Sequence, residues 1–463
     1  MPTLIDRVTE LVLGFLLLVV LVTGALAVLA ILRRRQRERY FERLDTLRRL
    51  YLPVIARLLA GELSIQQGLT MLGTVAGPDR VFVLERLLLE KAPTPAEVPP
   101  LRALCEGLGL VETWQRRLVG QSEDRPLRAA LSSPDGVIQR VKRLGFLLRA
   151  RSAKNLGLIR HQTSWPLLVQ ALADPHPDVR ANAAWALGVI KEPQSFTPLV
   201  ERLHTGILET SRDFSLWPIR SALASFPLKS AAGLLPSLLH PHPQVRYLAA
   251  DIVREMVKRR AALEVCLVLE PPTFPRELCE VFLTRLCFDE SSNVRARAAP
   301  VVAYLNDPRV TDVLITLLGD AEWFVRLRAV QAFAQQRCLA GIPDIARGLT
   351  DPHWRVREAT TRALRCLGQV GIDHLFTHFL TTTDAFSREQ IADEFQRAGI
   401  IPDLLAQFER EESDRAFQVI QRLTEMGKTN YLAAALRDGS AETLRGKFLK
   451  QFGGSLAPQP EPR

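Results

Sequence analysis

The sequence predicts an all-α protein, a solenoid of stacked helix pairs preceded by one transmembrane helix. Three observations lead there. The stretch from Leu148 to Ala398 repeats with a step of 31 residues, which carries Arg149 to Arg180, Arg326 to Arg357, and Arg357 to Arg388. The run Leu11–Leu32 holds no charge, and Thr23 is its one polar side chain. Apolar residues make up 47% of the chain but aromatics only 7%; the bulk is leucine, alanine and arginine, which lose little rotamer freedom in helices. The 30 prolines fall mostly between periodic segments, where helices must stop anyway. At 463 residues the chain exceeds one ordinary core, so an extended array or several domains is expected.

In chain order, residues 1–10 come first and the apolar run 11–32 follows. About twenty apolar residues rising about 1.5 Å each suffice to cross a bilayer core. Arg33, Arg34, Arg35, Arg37 and Arg39 follow at once. A cluster on that side places the amino terminus outside and the rest in the cytoplasm of a single-pass inner-membrane protein. A cleaved signal peptide ending near Ala25-Leu26-Ala27 competes with this reading, but no basic flank precedes the run. Residues 33–60 carry nine arginines against Glu38, Glu42 and Asp45, which leaves a net charge of only +5 for residues 61–463. The stripe Tyr40, Leu44, Leu47 and Leu50 predicts a basic juxtamembrane helix that Pro53 bends or ends, with its arginines on anionic lipid.

Residues 61–125 read as helices interrupted at Gly77-Pro78, where Asp79 is placed to cap the next one, and by a Pro-rich linker over 92–100. Residues 126–426 form the repeats. Residues 427–463 give a terminal helix and a disordered tail. In the clearest repeat, a helix over Trp165–Ala173 meets the turn Asp174-Pro175-His176-Pro177. A second helix then runs from Asp178 to Ile190, with Val179, Ala183, Ala184 and Leu187 on one face. Such a pair cannot bury its apolar face alone, so pairs stack.

The pattern Asp-Pro-x-x-x-Val-Arg-x-x-Ala-Ala-x-x-Leu stands as Asp174 with Val179-Arg180, Val245-Arg246 with Ala249-Ala250, and Asp289 with Val294-Arg295. It recurs as Asp320 with Val325-Arg326 and as Asp351 with Val356-Arg357. This pattern resembles the HEAT-repeat family in its short bacterial form, also seen in phycobilisome-lyase-like repeats. The resemblance implies a right-handed α-solenoid. It also implies that Arg149, Arg180, Arg246, Arg295, Arg326, Arg357 and Arg388 pair with the turn acids Asp174, Asp289, Asp320 and Asp351 as an internal ladder. Spacings of 66 residues between Arg180 and Arg246, and 49 between Arg246 and Arg295, mark insertions.

Positions the pattern leaves free are candidates for binding. Arg297, Arg328 and Arg362 stand two or five residues after a ladder arginine and predict a basic stripe on the concave side; ordinary solvated helix surface is the plainer alternative. Trp323 and Trp354 occupy the same turn position in adjacent repeats, and Trp185 falls in the same row as Arg362. Tryptophan is enriched in binding hot spots but also packs well under turns. No nucleophile, metal or phosphate-loop motif rises above background, so neither catalysis nor a cofactor is expected. His374 and His378 sit four apart without a third ligand nearby. The six cysteines, none in a Cys-x-x-Cys pair, read as buried free thiols. The functional expectation is a membrane-anchored scaffold that presents the solenoid to protein partners, themselves membrane-associated, such as a polysaccharide synthase or secretion machine. The alternatives are a nucleic-acid-binding protein, disfavoured by the small charge beyond residue 60, and a chromophore-lyase-like subunit.

Overall fold

The structure, a computed structural model, describes residues 4–75, 80–89, 92–120, 134–208, 216–267, 274–404, 414–428 and 430. Helices account for the regular structure, and no strand occurs among the described residues. In order they are α1 (Leu4–Leu59), α2 (Ile65–Gly73), α3 (Arg80–Leu89), α4 (Val98–Gly107), α5 (Leu110–Leu118), α6 (Pro134–Leu158) and α7 (Trp165–Ala171). Then come α8 (Pro177–Ile190), α9 (Phe196–Leu208), α10 (Trp217–Leu223), α11 (Leu235–Leu238), α12 (Pro243–Leu267), α13 (Arg276–Thr284) and α14 (Ser292–Val302). The last are α15 (Val310–Leu318), α16 (Trp323–Gln336), α17 (Ile342–Ala346), α18 (Trp354–Cys366), α19 (Gln369–Thr381), α20 (Ala385–Arg397) and α21 (Asp414–Glu425). The chain divides into two compact units: Met1–Arg202 with Ser211–Ala222, and Leu203–Thr210 with Leu223–Arg463.

The repeat follows from which positions of the second helices are buried. The residue before each ladder arginine and those three and four after it are the ones that face a neighbour. Val179, Ala183 and Ala184 are fully buried, as are Val245, Ala249 and Ala250, then Val294, Ala298 and Ala299, and Val325, Ala329 and Val330. Steps of one turn keep these residues on one face, and small side chains let helices approach closely. Within the second unit the second helices α12, α14, α16, α18 and α20 pack side by side in that order. The helices that precede them form the other layer. In the first unit α5, α6 and α8 stack in the same way. There a Cβ on Gly157 would lie 2.8 Å from both the Ala186 Cα and a ring carbon of Trp185, so only glycine permits α6 and α8 to meet at that point.

Several sequence expectations are corrected. Among the described residues no helix is long and apolar enough to cross a membrane. The expectation of a single-pass inner-membrane protein with its amino terminus outside is therefore overturned. Of the five arginines assigned to a lipid surface, Arg34 pairs with Glu38 at 2.9 Å along α1 and Arg35 is exposed. The side chains of Arg33, Arg37 and Arg39 lie outside the described set.

Pro53 does not end α1, which runs on to Leu59 and buries Ile55 and Leu58. Val98-Pro99-Pro100, assigned to the linker, instead opens α4, because proline is tolerated in a first turn whose N–H groups need no helical partner. Asp79 and the terminal helix expected near 441–452 lie outside the described residues. Of the cysteines, Cys105 and Cys287 are buried but Cys366 is exposed.

Candidate interaction surface

The ladder residues form a repeating hydrogen-bond unit. The Nε and one terminal nitrogen of Arg149 donate to both oxygens of Asp174 at 2.6 and 3.1 Å. Arg246 does the same to Asp289 at 2.7 and 2.9 Å, Arg295 to Asp320 at 2.6 and 3.0 Å, and Arg326 to Asp351 at 2.7 and 2.8 Å. The remaining nitrogen turns back to its own repeat: Arg326 Nη1 donates to the carbonyls of Asp320 and Ala321 at 2.8 and 2.9 Å. Arg180, Arg246, Arg295 and Arg357 bond the equivalent carbonyls of their own turns. Each acid also accepts the N–H two residues on, as Asp351 does from His353 at 2.8 Å. A planar fork matched to a carboxylate thus ties each repeat to the next while satisfying its own turn.

Burial works against the charged form of Asp174, Asp320 and Asp351, yet the guanidinium facing each holds its carboxyl below the usual range. Arg246 and Asp289 are 43 residues apart, whereas the other pairs are 25 apart. The surplus is taken up between them, where α12 runs for 25 residues, and the pairing geometry is unchanged.

Among the described residues Arg357 and Arg388 have no carboxylate partner, and the Nε of each is buried without a hydrogen-bond partner. One period after Asp351 stands Thr382. It keeps the turn by accepting the N–H of Asp384 at 3.2 Å but cannot answer Arg357. That guanidinium instead sits 5.7 Å from the ring centroid of the exposed Phe386.

The surface residues group differently from the stripe expected. In the second unit Arg297 donates to the Tyr247 hydroxyl at 2.7 Å and lies 3.5 Å from Asp251, a carboxylate only 4% exposed. Arg254 holds the same Asp251 at 2.9 Å and reaches Glu255 at 3.7 Å. Arg328, half-buried, hydrogen-bonds the amide oxygen of Gln331 at 2.9 Å and pairs with no carboxylate among the described residues. Burial lowers its pKa, and Arg297 and Arg254 press it further down. Arg362, by contrast, pairs with Glu358 at 3.0 Å, an acid that Arg397 also reaches at 3.4 Å. The basic group is therefore Arg254, Arg297 and Arg328. Arg254 escaped the sequence reading because it lies eight residues past Arg246, beyond the rows examined, on a helix lengthened by the insertion.

Trp323 stacks on His353 with ring centroids 3.9 Å apart and planes 2° from parallel; His353 in turn faces Trp354 at 6.3 Å. Arg355 lies 5.6 and 5.2 Å from the two indole centroids. Trp354 is 52% exposed. The two tryptophans are therefore joined through His353, whose ring nitrogen also caps α18 by accepting the N–H of Arg355 at 3.3 Å. Trp185, on α8 of the first unit, is 40% exposed and lies against Gly157.

One arrangement missed in the sequence has the residue types of a hydrolytic triad. Ser164 Oγ lies 2.7 Å from His161 Nδ1, and His161 Nε2 lies 3.5 Å from Glu106. The serine is fully buried and already receives a hydrogen bond from Gln115 at 2.9 Å, so no substrate reaches it. Similar His–Ser contacts join His204 to Ser237 at 2.9 Å and His378 to Ser387 at 3.0 Å, again with buried serines. These pairs satisfy inter-helix polar groups. A cavity of about 450 Å³ between α15, α16, α17 and α18 is lined by Arg326, Asp351, Asp344 and Arg347, which pair among themselves. Among the described residues no cluster of three metal-ligating side chains occurs.

Among curated proteins no sequence matches the chain. Of solved structures, human deoxyhypusine hydroxylase in complex with glycerol is similar at 19% identity, over 68% of this chain and 94% of that one, with a TM-score of 0.23. The CpcE–CpcF complex of phycocyanin lyase from Nostoc is similar at 19% identity, over 58% and 92%, with a TM-score of 0.25. Kap95p bound to RanGDP is similar at 13% identity, over 86% and 57%, with a TM-score of 0.42. The family model of HEAT repeats matches residues 125–210 and 279–365.

Proposed function

We propose that the protein is an interaction scaffold without catalysis of its own, which uses its HEAT repeats to hold a protein partner. What carries this reading is the division of labour among the arginines. Those of the 31-residue ladder are largely spent on joining one repeat to the next, whereas Arg297 and Arg328 stand on the free face of the second helices with less than their share of carboxylates. The stacked Trp323, His353 and Trp354 add an exposed aromatic edge in the same unit. Aromatic and arginine side chains are the types that dominate protein-binding hot spots, and repeat arrays expose much surface per residue.

The test is capture by cross-linking of the full chain from its native host. The double variants Trp323→Ala/Trp354→Ala and Arg297→Glu/Arg328→Glu are compared with the natural protein at equal stability. Loss of the same partner in at least one double variant is expected. If both double variants keep every cross-linked species, or if the purified chain turns over a substrate unaided, the reading fails.

A further inference from the structure

We propose that the face formed by α12, α14 and α16 is a receptor for an acidic segment of a partner protein, one carboxylate of which seats on the fork of Arg328 while a second reaches Arg297. The proposal rests on the scaffold reading and names the chemistry of the partner.

The argument begins with a comparison inside the chain. Arg151 and Arg328 occupy the same place, two residues after a ladder arginine. In the first unit Arg151 donates its Nε to Glu85 at 2.7 Å, and that buried carboxylate also takes Trp114 Nε1 at 2.7 Å and Arg117 at 3.1 Å. A carboxylate brought from another helix therefore completes this position there. In the second unit Arg328 has the neutral Gln331 instead. Asp251 serves both Arg254 and Arg297, and Glu255 is divided between Arg254 and Arg259 at 3.7 and 3.3 Å. Among the described residues Asp251 and Glu255 thus serve Arg254, Arg259 and Arg297, while Arg328 bonds a neutral amide. A half-buried guanidinium that bonds a neutral amide where the first unit supplies a carboxylate is a costly arrangement that an incoming carboxylate relieves.

The same inventory argues for a protein over a nucleic acid. Asp251 and Glu255 lie among the arginines, and Glu358 sits between Arg362 and Arg397, so carboxylates interrupt the row of cations. A phosphate backbone needs an uninterrupted run of cations, whereas one or two carboxylates fit a row interrupted in this way. Tyr247, whose hydroxyl accepts from Arg297 and whose ring lies 5.0 Å below its guanidinium, fixes that fork in place.

The experiment uses the full chain and three fluorescent probes read by anisotropy: a Glu-rich peptide, the same peptide with Gln for each Glu, and a single-stranded oligonucleotide of equal charge. The Glu peptide is expected to bind and the Gln peptide not to. Arg328→Glu should weaken binding roughly ten- to a hundredfold. Arg328→Lys, which keeps the charge but not the fork, should fall between. Arg276→Glu, on the exposed face of α13, should bind like the natural chain. The Nε–H resonance of Arg328 should shift on adding the Glu peptide, a readout that needs no substituted protein. Equal binding of the Gln peptide, tighter binding of the oligonucleotide, an unmoved Arg328 resonance, or full binding by Arg328→Glu would each overturn the proposal. Intact partner capture alongside any of these would refute the acidic-segment assignment alone and leave the scaffold reading standing.

Discussion

Replacing Thr382 by aspartate should complete the ladder and stabilise the second unit. The backbone is ready for it: Thr382 has φ −69° and ψ 141°, against −59° and 146° at Asp289 and −58° and 138° at Asp351. The partner is ready as well, since Arg357 already bonds the carbonyls of its own turn at 2.7 and 3.2 Å and its Nε is buried without a partner. Supplying an acceptor to such a group recovers about 1–3 kcal/mol. Shifting Phe386 off the guanidinium forfeits about 0.5–1 kcal/mol of cation–π contact, and desolvating the new carboxylate takes a further part. A net gain of up to about 2 kcal/mol follows, which for a unit of this size is a rise of up to roughly 8 °C in melting midpoint. The assay is a double-mutant cycle of Thr382→Asp and Arg357→Ala in urea, with Thr382→Asn as the uncharged control. The gain should vanish in the Arg357→Ala background. Equal stabilisation with and without Arg357, or none at all, would show that the fork does not take the new acid.

Breaking the ladder should cost more than completing it yields. Asp351→Asn leaves Arg326 facing a neutral amide in a partly buried site, and a loss of about 2–4 kcal/mol is expected from denaturant midpoints. Acid should act on the same pairs: the carboxyls of Asp174, Asp320 and Asp351 titrate below their unfolded value of 3.8, so their stabilisation is present above that value and is lost as the pH falls through the folded one. Melts between pH 5 and 2 should therefore show a loss that Asp320→Asn blunts. At milder pH, burial lowers the pKa of His161 and His378 below 6.5, so stability they contribute is complete above 6.5 and fades below it. Replacing both with glutamine should flatten the curve between pH 7 and 5. Burial also raises the thiols of Cys105 and Cys287 to about 12, so a maleimide should label Cys366 within the folded protein and reach those two only after unfolding.

Much of the helical repeat could be read from the chain because its cause is local. A valine, an arginine and two small residues at fixed offsets specify one buried stripe, and the turn acids mark where one helix yields to the next. The surface was legible only in part. Arg297 and Arg328 stood out by position, but nothing in their spacing showed that Glu358 would pair with Arg362, that Arg254 would join the group, or that His353 would slot between Trp323 and Trp354. Those pairings depend on which side chains the stacking of separate helices brings within a few ångströms. The apolar run near the amino terminus shows the opposite hazard, a strong local signal read as a membrane span although no described helix is long and apolar enough to cross one.

The sequence by itself determined that helical pairs recur, where each turns, and which residues of each pair must leave water, since periodicity and side-chain size act within a few residues. Only the tertiary structure decided which acid each arginine meets. The 43-residue span from Arg246 to Asp289 ends in the same geometry as the 25-residue spans, because a bidentate fork is selected by distance and angle in space and is indifferent to the length of chain between its partners.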